Sequence, residues 1–555
     1  MLTIGIHGIP DSSSQGHAHD HALAFMRDGM VLACMELERF SRTKQDGTLP
    51  DHFDALLKPW LLPDEDLQFV LVSGFYGRTF HSNTNSLELQ IPDDLTPEKL
   101  LVPIPVKLNG ILDNHSASAW AISHEAAHIC TCLPFFGPFQ EDSLLVHIDG
   151  GASVSSSSCW LFRNGSLQCL GYDWNRLKRV VNYFNDNEIS RKILGLPVSD
   201  HLAMPGKLMG FSSHGHAIGS LTQEIRSFSD LPAEKQFLDH YPNLKAFMQN
   251  LKAGSDPTKI PGSANIASSM QLDFEKTVLD FLAEWKERTG AKRLYYSGGA
   301  ALNIHANARI ERELGFEQVF VPPNPGDCGL ALGAAALLES QGKLCLQQST
   351  PFLVSSSQRE KSHAMPMVRF HVEQVAKLIA NGKVVGTCLG AGETGPRALG
   401  HRSILARPDD PGLRMRISEV MKQREWYRPV APMMLLEIAR QVLENYPINS
   451  NLSQFMLGAW QLKSEYHPNF SGVVHADGTV RAQTVSSHWV ELEPIRALLH
   501  ALRQEYGLMG IINTSFNKRG EPIVQTKENA ITTARALGLD AVWLEMDGES
   551  CVLEL

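Results

Sequence analysis

Two histidines at helical spacing are the first residues whose types could do chemistry. The segment 118–128 is rich in helix formers, and on one helix His124 and His128 would share a face, so that both imidazoles could reach the same metal ion. Glu125 completes the pattern His-Glu-x-x-His of zinc proteases. No third ligand follows at metzincin spacing, since residues 129–140 read ICTCLPFFGPFQ. The pattern leaves open a zinc protease, or a metal site completed by ligands from elsewhere.

A second candidate site is basic. Residues 392–429 hold a dense run of arginines and lysines in a chain whose formal net charge is −10. Several of them lie beside glycine or proline, where the backbone can approach a ligand closely, and guanidinium groups suit bidentate binding of phosphate or carboxylate oxygens. The stretch indicates either a site for a small anion or a charged surface segment.

Glycine turns follow three segments that read as strands. The buried segment 143–148 leads into Asp149 and two glycines, the segment 294–297 into Gly298 and Gly299, and the segment 319–321 into Asp327 before a helix of small residues. Nucleotide-binding α/β folds place an acid at the carboxyl end of a strand, and glycine N–H groups suit phosphate or ribose. Together these turns predict an actin-like ATPase architecture, in which two related halves close on a nucleotide. Residues 206–210, around Lys207, read as a further tight basic turn.

The remaining elements predict how these residues are positioned. Residues 1–36 read as a strand, a polar loop with His19 and Asp20, and a hairpin that turns at Asp28-Gly29. Residues 370–379 read as a helix and 383–389 as a short strand before the basic stretch. The polar residues 346–368 read as a linker. We predict a domain over 1–345, this linker, and a second domain over 369–555.

Length and composition bound the function classes. A chain of 555 residues exceeds the size of one hydrophobic core. Its nine scattered cysteines form no CxxC pair, so neither a thiolate zinc site nor a disulfide framework is indicated. The beginning of the sequence does not read as a secretory signal, and no apolar run reaches the roughly 20 residues that span a bilayer. We expect a cytoplasmic protein without a membrane or nucleic-acid partner, since its charge balance is acidic.

Long motifs identify a family resemblance. GETGPRALGHRSILARP, KQREWYRPVAP, HADGTVRAQTV and INTSFNKRGEPIV occur in order, after HEAAH, VHIDGG, GKLMG, SGGAALN and PNPGDCGLALGAA. These resemble the family of nodulation protein U and the cephem and aminoglycoside O-carbamoyltransferases. The resemblance implies an α/β protein with an N-terminal actin-like (ASKHA) domain of two related halves, similar to the enzyme that makes threonylcarbamoyladenosine in tRNA. It also implies a C-terminal YrdC-like α/β domain.

The resemblance implies a two-step reaction. The C-terminal domain would make carbamoyl-adenylate from carbamoyl phosphate and ATP, with Mg²⁺. The N-terminal domain would pass the carbamoyl group to a hydroxyl of a small molecule, such as a secondary metabolite or a sugar, and release AMP. A divalent metal, iron in the family, would be held by His124, His128, Asp149 and Asp327. His19 matches the family's His–Asp motif and is the candidate general base. A homodimer is a candidate assembly.

Three groups of binding residues follow from the matched motifs. Carbamoyl phosphate and ATP carry many negative oxygens, so fixed cations would offset their repulsion. The candidates are Arg397, Arg402, Lys422, Arg424, Arg428 and Arg481, with Asn513, Ser515 and Asn517 as neutral donors, and Arg397, Lys422 and Arg481 as catalytic residues. In the N-terminal domain, Lys207, Gly298, Gly299 and Asn303 are the candidates for binding nucleotide.

Some positions depart from the family's motifs. Leu37 replaces a glutamate, Glu125 replaces a histidine, and Ala152-Ser153 stand where a glycine and a glutamate are expected. The last departure leaves the contacts of that loop open. Two alternatives to a carbamoyltransferase also stay open, namely the zinc protease and a nucleotide-binding actin-like protein without chemistry.

Overall fold

The computed structural model describes most of the chain. The described residues are 1–9, 19–74, 77–84, 86–110, 115–177, 181, 188–229, 240–250, 256–341, 346–355, 369–447, 449–546 and 549–555. Residues 356–368 of the predicted linker therefore lie outside them. The predicted domain boundaries stay a prediction.

The first large sheet begins with the predicted hairpin. The strands of this part are β1 (Leu2–His7), β2 (Ala22–Arg27), β3 (Met30–Glu36), β4 (Leu67–Val72), β5 (Thr79–His81), β6 (Leu87–Gln90), β7 (Ile104–Pro105), β8 (Lys107–Gly110) and β9 (Ala117–Ile122). The sheet has the order β3-β2-β1-β4-β9-β7, while β5, β6 and β8 form a small separate sheet. Asp28 and Gly29 both have positive φ, at 52° and 75°, which confirms the predicted turn between β2 and β3.

The second sheet repeats the plan of the first. Its strands are β10 (Ser143–Ile148), β11 (Ser157–Arg163), β12 (Ser166–Asp173), β13 (Arg293–Ser297) and β14 (Gln318–Phe320), in the order β12-β11-β10-β13-β14. In both sheets three antiparallel strands are followed by two strands that run parallel to the first. This shared topology confirms the prediction of two related halves.

The third sheet carries the basic stretch. The strands of this part are β15 (Val385–Cys388), β16 (Ser403–Ala406), β17 (Ala431–Leu435), β18 (Trp460–Gln461), β19 (Thr479–Val480), β20 (Gln483–Val485), β21 (Ile511–Ser515), β22 (Ala541–Met546) and β23 (Glu549–Glu554). The sheet has the mixed order β20-β17-β21-β16-β15-β22-β23, and β18 pairs with β19 alone. Residues 392–429 leave the sheet after β15, return through β16 and lead into β17.

The helices cover these sheets. In the first 345 residues they are Leu37–Ser41, Leu49–Leu57, His124–Cys130, Leu133–Phe136, Glu188–Leu194, Met204–Ser212, Gly219–Ser229, Pro242–Asn250, Ser263–Thr289, Ile304–Glu313 and Leu330–Gln341. After them come Arg369–Ala380, Pro411–Met415, Leu436–Val442, Glu493–Tyr506 and Lys527–Leu537, with a π turn at Arg416–Met421. Shorter 3₁₀ turns are Lys58–Trp60, Pro97–Leu101, Val198–Ala203, Pro257–Lys259, Gly299–Leu302, Asp327–Gly329, Leu452–Phe455, Ser464–Phe470 and Val490–Leu492.

Two glycines allow the helix Leu330–Gln341 to lie close to its neighbours. A Cβ atom on Gly5 of β1 would overlap the carbonyl oxygen of Ala331, and a Cβ on Gly333 would overlap that of Ala127. The helix therefore packs tightly against β1 on one side and against the helix His124–Cys130 on the other. This packing sets the position of Asp327, which lies just before the helix.

Comparison with the sequence predictions gives two corrections. The helix expected over 118–128 is the strand β9 followed by a helix that begins at His124. The basic turn expected at 206–210 is part of the helix Met204–Ser212, where a buried face against the helix Ser263–Thr289 outweighs the local glycines. The helix and strand expected before the basic stretch are confirmed as Arg369–Ala380 and β15. No helix in the described part of the chain has the length and apolar character needed to cross a bilayer.

A buried ion pair joins the first sheet to the basic stretch. Arg39 Nε lies 3.2 Å from Glu36 Oε2, and both side chains are almost wholly buried. Arg39 Nη2 donates to the carbonyl oxygens of Glu393 and Gly395, at 3.2 and 2.9 Å, and Gly395 N donates back to Glu36. The pair therefore holds the loop that leads to Arg397.

Removal of one partner tests this pair. We expect Arg39→Met to lower the free energy of unfolding by about 3–5 kcal/mol, because it leaves the Glu36 carboxylate buried without its cation. Arg496 and Glu493 pair at the same i, i+3 spacing, but their side chains are 31% and 39% exposed. Arg496→Met should cost at most about 1 kcal/mol. Urea denaturation measures both values, and equal losses would contradict the role given to Arg39.

Candidate functional site

Two histidines and two aspartates meet at the junction of the first two sheets. Ser123 accepts a hydrogen bond from Ala126 N and so caps the helix that carries His124 and His128. The Nε2 atoms of these histidines lie 3.0 Å apart. Asp327 Oδ1 lies 3.5 Å from His124 Nε2 and 3.4 Å from His128 Nε2, and Asp149 Oδ2 lies 3.6 Å from His128 Nε2. The structure thus groups His124, His128 and Asp327, while Asp149 lies beside His128 and groups with it and His147. The role of the four predicted residues as ligands stays a prediction.

The donor set fits a divalent metal ion. Ligand atoms that share an ion at about 2.1 Å lie roughly 3.0–3.5 Å from one another, which is close to the separations seen here. His147 lies on β10, two residues before Asp149, so the two side chains share one face of the sheet. The His147 ring stacks on that of His128, with centroids 4.9 Å apart. Its Nε2 is buried and has no hydrogen-bond partner among the described residues. Imidazole and carboxylate donors suit iron, zinc or manganese.

Glu125 does not face this cluster. Its Oε1 accepts hydrogen bonds from Val154 N at 2.6 Å and from Ser155 N at 2.9 Å. A metalloprotease needs the glutamate of this motif as a general base beside the metal-bound water. Glu125 instead holds the loop after β10, in which Ser153 Oγ also accepts the N–H of His124 at 3.0 Å. The unusual residues of this loop therefore secure the start of the histidine helix.

His19 lies within the electrostatic reach of the cluster. Its Nδ1 is 2.9 Å from Asp20 Oδ2. Burial disfavours the charged imidazole, but the hydrogen bond with Asp20 and the charges of Asp327 and Asp149 outweigh it and raise the pKa of His19 to about 9. Asp149 and Asp327 are also predicted metal ligands, so an ion bound there would oppose the proton on His19. The predicted general base is thus coupled to the metal site, and its role stays a prediction.

The second site, which we call the cationic pocket, consists of Arg397, Lys422, Arg424, Arg428 and Arg481. Burial, followed by the charge of Arg428, lowers the pKa of Arg397 to about 10. Burial and the neighbouring Arg428 and Arg397 also lower the pKa of Arg424, to about 9, although the carboxylate of Glu425 opposes this shift. Burial and the same arginines hold the pKa of Arg481 well below its usual range. Cations affect one another in this way only when they are close together.

Neutral groups hold two of these cations in place. Lys422 Nζ donates to the carbonyl oxygen of Ser515 and to Asn517 Oδ1, the latter at 2.8 Å. Arg424 donates to Thr514 Oγ1 and to Ser515 Oγ, both at 3.0 Å. The turn after β21 therefore orients the cations without neutralising them. Burial, followed by Arg424 and Arg428, keeps the pKa of Lys422 well below its usual range.

Arg402 is the exception among the predicted anion ligands. Its guanidinium is buried and donates to four carbonyl oxygens, those of Leu389, Gly390, His401 and Gln525, at 2.8–3.2 Å. These bonds occupy the group that would bind phosphate, so the predicted anion contact is corrected to a structural one. Arg402 braces the backbone around the pocket.

The neutral donors are also corrected. Asn513 Nδ2 donates to Ala398 O at 2.9 Å and to Gln483 Oε1 at 2.6 Å. Ser515 Oγ donates to Asn517 Oδ1 at 2.7 Å, and Asn517 Nδ2 donates to the carbonyl oxygen of Glu521 at 2.6 Å. The donors of all three predicted residues are therefore used within the protein. Ser515 and Asn517 position Lys422 and Arg424, and Asn513 joins β21 to Ala398 and Gln483.

The predicted nucleotide residues of the N-terminal part are engaged elsewhere. Gly298 N donates to Pro325 O at 2.8 Å and Gly299 N to Asp149 Oδ2. Asn303 caps the helix Ile304–Glu313 and pairs with Gln271 at 3.0 and 3.1 Å. Lys207 Nζ lies 3.0 Å from Glu425 Oε1, at the edge of the cationic pocket. The turn at Gly298 and Gly299 thus holds Asp149 of the histidine–aspartate cluster. Lys207 joins the N-terminal part of the chain to the C-terminal part.

Comparison with known proteins decides the family. Residues 105–336 match the carbamoyltransferase N-terminus and residues 376–547 the carbamoyltransferase C-terminus. Nodulation protein NolO of Bradyrhizobium diazoefficiens is 32% identical, over 76% of this chain and 77% of its own. The chain belongs to the carbamoyltransferase family. Nodulation protein NolNO of Sinorhizobium fredii is 28% identical, over 94% of this carbamoyltransferase and 78% of its own length. A solved activator of the 2-hydroxyisocaproyl-CoA dehydratase from Clostridium difficile is 15% identical, with a TM-score of 0.33 over 63% of this chain and all of its own.

The two sites of this carbamoyltransferase touch through their loops. Asn324 Nδ2 donates to Thr394 Oγ1 at 3.0 Å, and Thr394 lies 3.1 Å from Glu36 Oε1. Gly395 has a φ of 94°, and a Cβ there would overlap the carbonyl oxygen of Pro323. The loop that leads to Arg397 therefore lies directly against the loop that leads to Asp327.

Sequence reasoning missed several of these residues. His147 was recognisable, because the order His-x-Asp on a strand puts both side chains on one face. His475 lies within a matched motif, but nothing in the neighbouring sequence indicates what its side chain does. Its Nε2 is buried and has no hydrogen-bond partner in the described chain. Thr394 and Asn324 are 70 residues apart in sequence, so only the fold shows their contact.

A calorimetric experiment tests the coupling of His19 to the metal site. At about pH 8 a histidine with this raised pKa is mostly protonated, and an ion at Asp149 and Asp327 would cancel the charges that retain its proton. Titration of the metal-free protein with Zn²⁺ in two buffers of different ionisation enthalpy counts the released protons. The wild type should release about one proton more than His19→Gln. Equal counts would show that His19 does not sense the ion.

Exchange of two arginines separates their roles. Arg402→Met leaves buried carbonyl groups without a donor, so the free energy of unfolding should fall by about 3 kcal/mol or more. Arg424→Met relieves repulsion, so stability should change by less than about 1 kcal/mol while the affinity for inorganic pyrophosphate falls at least about tenfold. Urea denaturation and calorimetric titration measure the two effects. A stability loss confined to Arg424→Met would reverse the assignment.

Proposed function

We propose that this carbamoyltransferase is an ATP-dependent O-carbamoyltransferase with two reaction sites. Carbamoyl phosphate, ATP and water give carbamoyl-adenylate, orthophosphate and pyrophosphate in the cationic pocket. The carbamoyl group then passes to a hydroxyl of a small-molecule acceptor, a secondary metabolite or a sugar, and AMP is released. The observation that carries the proposal is the gathering of five cations, of which Lys422 and Arg424 are held by neutral groups at the end of β21 and just after it.

The chemistry of the first step suits this pocket. ATP and carbamoyl phosphate repel each other, and the transition state of phosphoryl chemistry spreads negative charge over several oxygens. Buried Nε atoms of Arg397 and Arg481 have no hydrogen-bond partner among the described residues, so they remain available to a ligand. Lys422 and Arg424 are oriented beforehand by the turn after β21, which lowers the cost of assembling the site.

The second step suits the histidine–aspartate cluster. The acceptor oxygen attacks the carbamoyl carbon, the bond from that carbon to the adenylate oxygen breaks, and AMP leaves. His19, in the neutral form that a cation at Asp149 and Asp327 would favour, takes the hydroxyl proton, with Asp20 fixing its ring. His124, His128, Asp149 and Asp327 would hold a divalent metal, for which we propose iron. Such an ion, when bound, supplies Lewis-acid stabilisation to phosphate or ribose oxygens.

Pyrophosphate release without an acceptor tests the proposal. With ATP, Mg²⁺ and carbamoyl phosphate, the protein should release pyrophosphate and accumulate carbamoyl-adenylate. Arg481→Met and Lys422→Met should lower this rate by at least about 100-fold, since each removes a fixed cation from the transition state. His19→Gln should keep the rate within about threefold but abolish transfer to an acceptor.

A matched arginine provides the control. Arg414 belongs to the same basic stretch but pairs with Glu419 at 3.7 Å outside the pocket, so Arg414→Met should leave the rate unchanged. Binding of ATP without pyrophosphate release by the wild type would favour a nucleotide-binding protein without chemistry. An equal loss of pyrophosphate release in the variants of Arg481, Lys422, His19 and Arg414 would contradict the assignment of two separate sites.

A further inference from the structure

The cationic pocket offers donors, whereas the carbamoyl group also needs acceptors. Arginine and lysine satisfy the oxygens of carbamoyl phosphate, but its nitrogen carries two N–H bonds that must find acceptors when they are taken out of water. A buried polar atom without a partner is rare in folded proteins. Besides the donor Nε atoms of Arg397 and Arg481, two acceptor atoms near the pocket have no hydrogen-bond partner among the described residues, and both belong to neutral side chains.

The first acceptor is Nε2 of His475. Thr479 Oγ1 donates its proton to Asp477 Oδ1 at 2.7 Å, so the same oxygen can only accept from His475 Nδ1, which lies 3.0 Å away. This fixes the tautomer, with the proton on Nδ1 and a lone pair on Nε2. The side chain is 7% exposed, and Nε2 has no hydrogen-bond partner within the described ranges.

The histidine stays neutral at the pocket. Burial lowers the pKa of His475 to about 3, with the charge of Asp477 opposing the shift and those of His305, Arg481 and His214 adding to it. Its ring is thus a neutral acceptor near Arg481 at neutral pH. Since the phosphate oxygens are expected at Arg481, the nitrogen nearest to this ring is that of the carbamoyl group.

The second acceptor is Oδ1 of Asn513. Gln483 Nε2 donates to Leu399 O at 2.7 Å, so Gln483 Oε1 is left to accept from Asn513 Nδ2. These bonds fix the orientation of the Asn513 amide: Nδ2 points towards Gln483 and Ala398, and Oδ1 points away from them. Asn513 is fully buried, and Oδ1 has no partner in the part of the chain that the structure describes.

Both acceptors lie near the cations: the His475 ring contacts Thr479, two residues before Arg481, and Asn513 belongs to the strand that ends at Ser515. Asn513 contacts the carbonyl of Ala398, which follows Arg397, and it lies on β21 two residues before Ser515, which holds Arg424. A ligand that fills the pocket must therefore combine negative oxygens with N–H donors. Carbamoyl phosphate has both, whereas acetyl phosphate has the same shape without the N–H bonds.

We propose that His475 Nε2 and Asn513 Oδ1 accept the N–H bonds of the carbamoyl group and so select carbamoyl phosphate against acyl phosphates of the same size. The inference rests on the proposed first reaction. A site built to pair with N–H groups rejects an analogue without them, because its acceptors are then left buried and unpaired.

The experiment compares pyrophosphate release from ATP with carbamoyl phosphate and with acetyl phosphate, by kcat/KM. The wild type should prefer carbamoyl phosphate by at least about 100-fold. His475→Asn keeps a donor towards Thr479 but loses the Nε2 acceptor, so this preference should fall by about tenfold. His475→Gln presents an oxygen near the position of Nε2 and should keep the preference within about threefold.

The outcomes separate the inference from the proposed function. Absence of pyrophosphate release from carbamoyl phosphate in the wild type would overturn the proposed function. Release with a preference below about tenfold in the wild type would overturn only the inference, and it needs no variant. Among folded variants, checked by their thermal unfolding, an equal fall in His475→Asn and His475→Gln, or no fall in His475→Asn, would also overturn the inference.

Discussion

Mutual repulsion among closely placed cations, one buried and four half-buried, is the constraint on which the C-terminal half of the protein depends. Carboxylates placed among Arg397, Arg424 and Arg481 would relieve it, but they would also fill the positions that a substrate anion needs. The fold uses hydroxyl, amide and carbonyl groups of the turn after β21 instead. Glu425 stays at the edge, where it pairs with Lys207 of the first domain. The large core around the third sheet must offset the resulting cost.

The same constraint explains why Arg402 differs from its neighbours. Glu393 Oε1 accepts three backbone N–H groups, from Leu399, His401 and Arg402, and the Arg402 side chain in turn binds four carbonyl oxygens. These contacts shape a loop that contains two glycines with positive φ. Arg402 therefore stabilises the loop, whereas Arg397 of the same motif keeps an Nε atom without a hydrogen-bond partner among the described residues. Charge density in the sequence does not distinguish the two uses.

Local signals made much of the fold predictable. The Asp28-Gly29 turn, the buried strand before Asp149 and the small-residue helix after Asp327 depend on neighbouring residues, and the structure confirms each. His124 and His128 were recognisable from their helical spacing, whereas Asp149 and Asp327 joined them only through the matched motifs, because the aspartates come from separate elements. The bonds from Arg402 to Gln525 and from Asn513 to Ala398 join residues 123 and 115 positions apart, so no local pattern reveals them. Lys207 was misplaced for a related reason, since long-range packing made its glycine-flanked segment helical.

The close approach at Gly5 and Gly333 has a consequence for how this enzyme can be altered. Neither residue has a polar atom beyond its backbone, and neither belongs to the histidine–aspartate cluster. Yet the helix Leu330–Gln341 can reach its place only where these two positions lack a side chain. The distance between Asp327 and the histidines is therefore set in part by two glycines that no survey of reactive groups would select. Efforts to graft the cluster onto another scaffold, or to diversify it by mutagenesis, must treat these two empty positions as part of the site.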